Sequence, residues 1–277
     1  MTETPAGSGA RFARPLRLTL AYDGTPFVGW QRQAQGVSIQ GLVEEALARI
    51  EGRAVTVTGA GRTDAGVHAL GQVAGVSLVN PIEPAVLRRA LNAALPPEVR
   101  VIDVCAVGPS FHARYSAQSK TYRYLIVNGP LATPFEWRYA WHVAGHLHTD
   151  RMIAAAALFE GEHDFAAFRA TGSTVRSTVR CVYRSAMSLE PTAAEETPWA
   201  FPVERAGVRR LVYEVSANGF LRHMVRAIVG TLVEIGAGRR EPDSILRALS
   251  SGDRAHAGPT APACGLCLVR VDYRDGA

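Results

Sequence analysis

The eight residues from Gly61 to His68 combine an acid, a base and two glycines at a spacing that could support catalysis. Asp64 lies between Gly61 and Gly66, and Arg62 precedes it by two positions. A short loop at a strand end is a common place for a catalytic acid, because rigid scaffold supports a side chain that stays accessible. The planar guanidinium of Arg62 could hold a phosphate group or Asp64 itself. The same segment could also be a plain turn in which Asp64 bonds its own backbone.

The bulk composition limits the class of protein. A length of 277 residues suits one large or two medium domains, and 47% hydrophobic with 20% charged residues is usual for a globular protein. No apolar run approaches the roughly 18 to 20 residues that span a membrane. Residues 1–15 are rich in Gly, Pro, Thr and Ala and lack an apolar signal core, so we expect a flexible tail and a cytoplasmic protein.

The basic residues favour an anionic polymer as partner. The net charge is +5, and Lys120 is the only lysine among 30 basic residues. Arginine binds phosphates in a bidentate manner and stacks on bases, although a GC-rich genome also favours arginine over lysine. The positive charge therefore indicates a nucleic-acid partner only weakly.

The sequence argues against a phosphotransferase site, a phosphate-binding loop and a metal site. Ala21 stands where an aspartate phosphotransferase would need its nucleophile, and the one lysine is not in a phosphate-binding loop. Cys264 and Cys267 form a single CxxC motif, whereas a structural zinc site usually needs a second pair of ligands at similar spacing. Cys267 also lies in a predicted strand. His146 and His148 are only a pair of histidines two residues apart, which favours a solvated loop over a metal site.

Hydrophobic periodicity and capping residues predict the same order of elements in both halves of the chain. In the first half, Ser38 caps a helix that ends near Gly52. The predicted strands are 16–22, 54–58, 73–79 and 99–107, and the helices are 38–51 and 84–94. In the second half, the strands are 121–128, 178–189, 209–217 and 265–273, and the helices are 150–160, 221–236 and 242–249.

This order predicts an α+β fold made of two similar βαββαβ halves with mainly antiparallel sheets. Placed side by side, the halves could form one continuous sheet with a central cleft that the Asp64 loop faces. We expect a flexible tail over 1–15, an N-terminal α/β domain over 16–115 that carries Asp64, and a C-terminal α/β domain over 116–277 that completes the site. The stretch 190–207 is predicted to be a loop without a readable motif.

Three segments in this order resemble the motifs of the tRNA pseudouridine synthase A family. They are 61–69 around Asp64, 120–124 (Lys-Thr-Tyr-Arg-Tyr) and 220–226 (Phe-Leu-Arg-His-Met-Val-Arg). Shorter matches extend the resemblance over nearly the whole chain, from 21–25 and 29–33 through 111–114 and 161–165 to 261–266. Cys267 departs from the pattern, since the family commonly has a tyrosine there, and this affects local packing only.

The resemblance implies a pseudouridine synthase fold and an RNA isomerase. Uridine becomes pseudouridine when the glycosidic bond breaks, the uracil turns and its C5 joins the ribose C1′. Nothing is added or lost overall, so the family needs neither cofactor nor metal. Family members modify uridines 38, 39 and 40 in the anticodon arm of tRNA. They are typically homodimers in which both subunits contact one tRNA.

The resemblance also implies a role for each matching residue. Asp64 corresponds to the nucleophilic aspartate, which could attack the sugar or the base or assist glycal formation. Arg226 corresponds to the basic residue that pairs with the aspartate and keeps it charged and oriented, and in the predicted helix Arg222 lies one turn before it. Tyr122 corresponds to the tyrosine that stacks on the target base, and Arg62 to the residue that helps flip the nucleotide and fills the space it leaves.

Simpler readings of these residues, and two other functions, remain open at this point. Tyr122 could be a strand core residue, Arg226 a surface arginine and Arg62 a brace of the loop. A non-catalytic tRNA-binding module would use the same charge, although the intact Asp64 loop with Tyr122 and Arg226 argues against it. A carboxylate-based RNA glycosidase would release free uracil.

Overall fold

The computed structural model describes residues 13–172, 175–190 and 207–274. The strands in chain order are β1 (Arg14–Tyr22), β2 (Thr58–Gly59), β3 (His68–Leu78), β4 (Val99–Ala106), β5 (Ala117–Asn128), β6 (Trp141–Val143), β7 (Gly161–Asp164), β8 (Val179–Leu189), β9 (Arg209–Ala217) and β10 (Leu266–Tyr273). The α-helices are α1 (Ile39–Glu51), α2 (Pro84–Ala94), α3 (Thr149–Ala156), α4 (Met224–Gly236) and α5 (Asp243–Ser251).

All these strands belong to one mixed, mostly antiparallel sheet. Its order is β4-β1-β3-β10-β5-β9-β8-β7, with β2 beside β3 and β6 beside β5. Four strands of each half have the same spatial order, in which the fourth strand along the chain is followed by the first, the third and the second. This order is β4-β1-β3-β2 in the first half and β10-β5-β9-β8 in the second. The neighbours within both sets are antiparallel. The α+β class and the two similar halves are therefore confirmed.

The two halves join where β3 lies beside β10. These strands run parallel and share only two residue pairs, Cys267 with His68 and Leu268 with Ala69. The segment 60–67 enters β3 at this point, so Asp64 lies at the junction of the halves. β10 is the last described strand in sequence, yet it lies in the middle of the sheet between β3 and β5.

Local sequence signals set the helix ends of the first half. The Ser38 hydroxyl accepts a hydrogen bond from the Gly41 amide, and Gly52 ends α1 with a left-handed φ of 75°. Pro84 occupies the first turn of α2, where its missing N–H costs nothing. One hydrophobic core runs through both halves, from Leu18 on β1 to Ile228 on α4.

Three sequence predictions need correction. Residues 54–57 are not in a strand, because side chains of α1 take the backbone groups of Val57: Glu44 accepts from its amide and Gln40 donates to its carbonyl. β3 begins at His68 rather than at residue 73, so His68 belongs to the strand and not to the loop. α4 begins at Met224 rather than at residue 221, for a reason that lies in the site.

Other differences are smaller. β5 begins at Ala117 and thus includes Lys120, and the second-half helix predicted over 150–160 is α3 followed by a 3₁₀ turn, Ala157–Phe159. Neither β6 nor β7 was predicted as a strand. The expected tail over 1–15 and the loop over 190–207 lie largely outside the described residues. Among the described residues, no helix has both the length and the apolar character needed to cross a membrane.

Candidate active site

Hydrogen bonds from buried polar side chains fix the loop that carries Asp64. The Tyr22 hydroxyl lies 2.9 Å from Thr63 Oγ1, and the Gln72 amide donates to the Gly61 carbonyl at 2.9 Å. The Trp30 amide donates to the Thr63 carbonyl at 3.1 Å. Since Tyr22, Gln72 and Thr63 are all buried, leaving any of these polar groups unpaired would be costly. The loop is therefore held at Gly61 and at Thr63, immediately before Asp64.

Two glycines from the chain before α1 allow the close approach of this loop. A Cβ on Gly24 would lie 2.0 Å from the Val67 carbonyl oxygen, and one on Gly29 would lie 2.6 Å from the Thr63 carbonyl oxygen. Gly29 also has a φ of +106°. Within the loop Gly66 has a left-handed conformation, with φ of +75°, whereas Gly61 does not.

We expect Gly29→Ala to unfold or displace the Asp64 loop. The added methyl group would collide with backbone at Thr63, which cannot move without breaking the bonds described above. Gly52→Ala is the matched control, because Gly52 also has positive φ but nothing within 4 Å of its Cβ position. Gly52→Ala should cost about 1 kcal/mol of unfolding free energy and keep activity, whereas Gly29→Ala should cost several-fold more and lose most activity. Thermal unfolding and turnover of both variants measure this, and equal losses would contradict it.

Asp64 has two basic partners, both from the second half of the chain. Its Oδ2 lies 3.3 Å from a terminal nitrogen of Arg226 and 3.5 Å from Nε2 of His223. Arg226 is itself fixed, because its Nε donates to the Ala261 carbonyl at 2.7 Å. The Arg226 side chain is 16% exposed and that of Asp64 is 27% exposed, so the pair is shielded from water yet open to a ligand.

His223 was missed as a site residue by sequence reasoning. It has a left-handed φ of 63°, the one such non-glycine residue in the described ranges, and because this conformation is not helical α4 starts at Met224, directly after His223. Such a conformation costs energy for a residue with a Cβ and is often found at functional sites. Arg222 consequently lies before the helix and not one helical turn from Arg226. The available signal was position: His223 lies inside the segment 220–226 that was already singled out.

Burial lowers the pKa of His223. The nearby charges of Arg226 and Arg222 lower this pKa as well, while Asp64 opposes them. A His pKa below its usual value near 6.5 leaves the ring neutral at pH 7. A neutral ring can donate one N–H, so His223 can help to orient the Asp64 carboxylate without carrying a full positive charge.

Tyr122 on β5 lies beside this pair. The ring is 7% exposed and meets Phe220 edge-on, with centroids 5.0 Å apart and an interplanar angle of 85°. Burial raises the pKa of Tyr122, and the charge of Asp64 contributes to the rise. Within the described residues its hydroxyl has no hydrogen-bond partner, so it could pair with a ligand that enters the site.

Arg62 is separate from the other three predicted residues. Its side chain is exposed, and among the described residues it makes neither an ion pair nor a hydrogen bond. It therefore does not hold Asp64, which the sequence had left open. The structure brings together Asp64, Arg226 and Tyr122 and leaves Arg62 free at the surface of the same loop. In the described ranges, no group of three His, Cys, Asp or Glu side chains could hold a metal ion.

The structure is thus a duplicated α+β sheet with an arginine-paired aspartate at the junction of its halves. The chain matches the model of a family described as tRNA pseudouridine synthase over residues 19–116 and 155–274. The chain belongs to this family and is an isomerase that makes pseudouridine in tRNA. More particularly, it is 46% identical to a protein of Syntrophotalea carbinolica named tRNA pseudouridine synthase A, over 93% of this chain and 96% of the relative. Relatives of the same name from Solibacter usitatus and Moorella thermoacetica are each 44% identical, over 94% and 93% of this chain and 100% and 99% of theirs.

Among solved structures, a chain in the archaeal box H/ACA sRNP Nop10-Cbf5 complex aligns with 93% of this chain and 49% of its own length. The identity is 16% and the TM-score 0.34, a likeness too slight to add to the family assignment.

Proposed function

We propose that this protein converts uridines 38, 39 and 40 of the tRNA anticodon stem-loop to pseudouridine, with Asp64 as the nucleophile. The observation that supports this most is the carboxylate of Asp64 paired with Arg226 from the other half of the chain. Among the described acids, Asp64 alone has both an arginine partner from the other half of the chain at the junction of the halves and the buried ring of Tyr122 nearby. The target positions come from the resemblance in the three motif segments.

Asp64 supplies the negative charge that the isomerisation needs. A carboxylate oxygen can attack the ribose C1′ as the glycosidic bond breaks, attack the uracil ring, or assist formation of a glycal; all three routes end in a C5–C1′ bond with loss of the C5 proton. Arg226 and His223 both contact Oδ2, which leaves Oδ1 free to face the nucleotide. Arg226 thus orients the nucleophile, and its own bond to the Ala261 carbonyl fixes that orientation.

Tyr122 and Arg62 would stabilise the flipped nucleotide. A uridine within the stem-loop must leave its stack to reach Asp64, at a cost of a few kcal/mol. The flat ring of Tyr122 offers a surface on which the flipped uracil stacks, and its free hydroxyl can hydrogen-bond to the base. Arg62 is exposed and has no partner among the described residues; in this proposal it takes the space that the base vacates and contacts the neighbouring phosphate.

The test uses an unmodified tRNA transcript with uridine at positions 38 to 40, tritiated at uracil C5. We expect tritium release without added metal and pseudouridine mapped to these positions. Release with pseudouridine elsewhere would contradict the proposed positions. Free uracil would instead indicate a glycosidase, and tight binding without release from several tRNAs would indicate a binding module.

Tyr122 variants separate stacking from hydrogen bonding. We expect Tyr122→Phe to keep most activity, while Tyr122→Ala loses roughly 1–3 kcal/mol of base contact, or about 5- to 160-fold in turnover. Both variants are compared by tritium release under single-turnover conditions, with thermal unfolding as a check on the fold. Equal losses in the two variants would assign the role to the hydroxyl instead.

The assembly and the location follow the family resemblance. The proposal includes a homodimer whose two subunits contact one tRNA, working in the cytoplasm without a cofactor. It also includes a division of labour in which residues 16–115 carry the nucleophile and residues 116–277 complete the site. Sedimentation of the protein with and without tRNA measures the mass of the assembly, and a protein that sediments as a single subunit in both states would contradict the dimer.

A further inference from the structure

The only lysine of the chain lies against the loop of the catalytic acid. Lys120 is on β5, two residues before Tyr122, so both side chains lie on the same face of the sheet. A Cβ on Gly61 would lie 3.6 Å from the Lys120 Cε, an ordinary contact, which places the lysine stem directly beside the loop. Lys120 is thus on the side of the site that Asp64 and Tyr122 face.

Lys120 has no acid partner among the described residues. Asp64 in the adjoining loop is paired with Arg226 and His223, and Arg62 in that loop is a further cation. On the neighbouring β10, Asp272 accepts from Ser119 and pairs with Arg270. On β9, the residue opposite Lys120 is Ala217.

The charges that act on Lys120 are positive. Arg114, in the chain before β5, and Arg180 on β8 both disfavour its charged form, and burial disfavours it more. Together these lower the pKa of Lys120 to about 8. Arg180 uses one terminal nitrogen for the carbonyls of Ser177 and Val179, and neither arginine pairs with an acid in the described ranges. The charged form of a half-buried lysine with two arginines nearby is unfavourable unless an anion binds to these cations.

We infer that Lys120, with Arg114 and Arg180, forms a phosphodiester-binding subsite for the RNA backbone next to the target nucleotide. This inference rests on the proposed function, since that function brings the RNA backbone to the Asp64 loop. A phosphodiester is the fitting anion because it is charged at every pH of interest and has two free oxygens, which several cations can share. The subsite fixes the backbone beside Gly61, so that the flipped uridine is aimed at Asp64.

The subsite makes tRNA affinity depend on pH in a stated direction. In the free protein Lys120 loses its proton as the pH rises through about 8. A bound phosphodiester favours the charged form and raises this pKa toward the ordinary lysine value, so binding takes up a proton above pH 8. Affinity is then full below pH 8 and falls about tenfold for each pH unit above it, until the pKa of the bound form is reached.

The experiment measures equilibrium binding of the full-length protein to a tRNA transcript with cytidine at positions 38 to 40, so that no turnover occurs. For wild type we expect about a tenfold loss of affinity between pH 7 and 9. Lys120→Arg, which stays charged, should lose much less over this range. Lys120→Met should bind weakly at both values, with a salt slope smaller by roughly 0.7 to 0.9 at pH 7.

Arg123→Met is the matched control. Arg123 lies on the same strand but on the opposite face and pairs with Glu214, so its variant removes one positive charge away from the site. The Arg123→Met protein should keep the wild-type pH dependence of affinity. Because it binds the same RNA, it also controls for any titration of groups in the RNA. A wild-type affinity that is flat from pH 7 to 9, or a Lys120→Met protein with the wild-type pH dependence and salt slope, would overturn the subsite. Since tritium release tests the proposed function separately, a protein that makes pseudouridine but shows either result loses only the subsite.

Discussion

Asp64→Ala is expected to abolish pseudouridine formation while tRNA affinity stays within a few-fold of wild type. In the proposed mechanism the carboxylate is the group that attacks, whereas the cations and Tyr122, proposed to hold the RNA, remain in place. Loss of a nucleophile lowers turnover by more than about 10⁴-fold in well-studied enzymes, and we expect a loss of that order. The fold should persist, because the loop is held by Tyr22, Gln72 and Trp30 rather than by Asp64. Single-turnover tritium release and equilibrium binding measure the two quantities.

Asp103→Ala is the control for the change of charge. Asp103 is an exposed acid on β4 in the same half of the chain, and it should be dispensable for turnover. An Asp64→Ala protein that turns over tRNA at a rate comparable to wild type would remove Asp64 from the mechanism. A protein that fails to bind tRNA would instead show that Asp64 supports the site structurally.

Arg226→Met should cause the second-largest loss. The variant keeps the length of the side chain but removes both the contact to Asp64 at 3.3 Å and the bond to the Ala261 carbonyl. His223 alone would then hold the carboxylate, and small displacements of a reacting group cost about 10²-fold in rate. We expect kcat to fall by about this factor or more, with a smaller change in KM.

Arg222→Met separates charge from geometry. Arg222 is an exposed arginine four residues earlier, and it is not hydrogen-bonded to Asp64. Its loss should affect tRNA affinity at low salt and leave kcat near the wild-type value. Equal losses of kcat in the two variants would mean that Arg226 contributes only general positive potential, and that its fixed orientation is not important.

Much of the fold could be predicted because its signals are local. The alternation of apolar residues in β9 and the Ser38 and Gly52 caps of α1 gave the bounds that the structure shows. The repeated order of elements predicted the two similar halves. The strand over 54–58 failed because Glu44 and Gln40 compete for the backbone of Val57, an interaction between distant residues that a local pattern does not reveal.

The sequence identified most of the candidate site residues, but it did not predict all of the contacts among them. The pairing of Asp64 with Arg226 spans 162 positions and was inferred from family resemblance. His223 escaped notice because a helical pattern conceals a left-handed residue, which depends on tertiary contacts. Arg62, two residues from Asp64, was an obvious partner by sequence, but it faces solvent instead. Nearness along the chain was therefore a poor guide to which cation contacts the acid.

The central position of β10 has a consequence for the synthesis of this protein. Residues 266–273 must be made before the strand can enter between β3 and β5, and until then the two halves lack the strand that joins them. Pairings between such distant segments form slowly, because the loop must close before any contact compensates for it. We therefore expect a nascent chain that lacks residues 266–273 to fold each half in part without holding Arg226 against Asp64, and to be inactive toward tRNA.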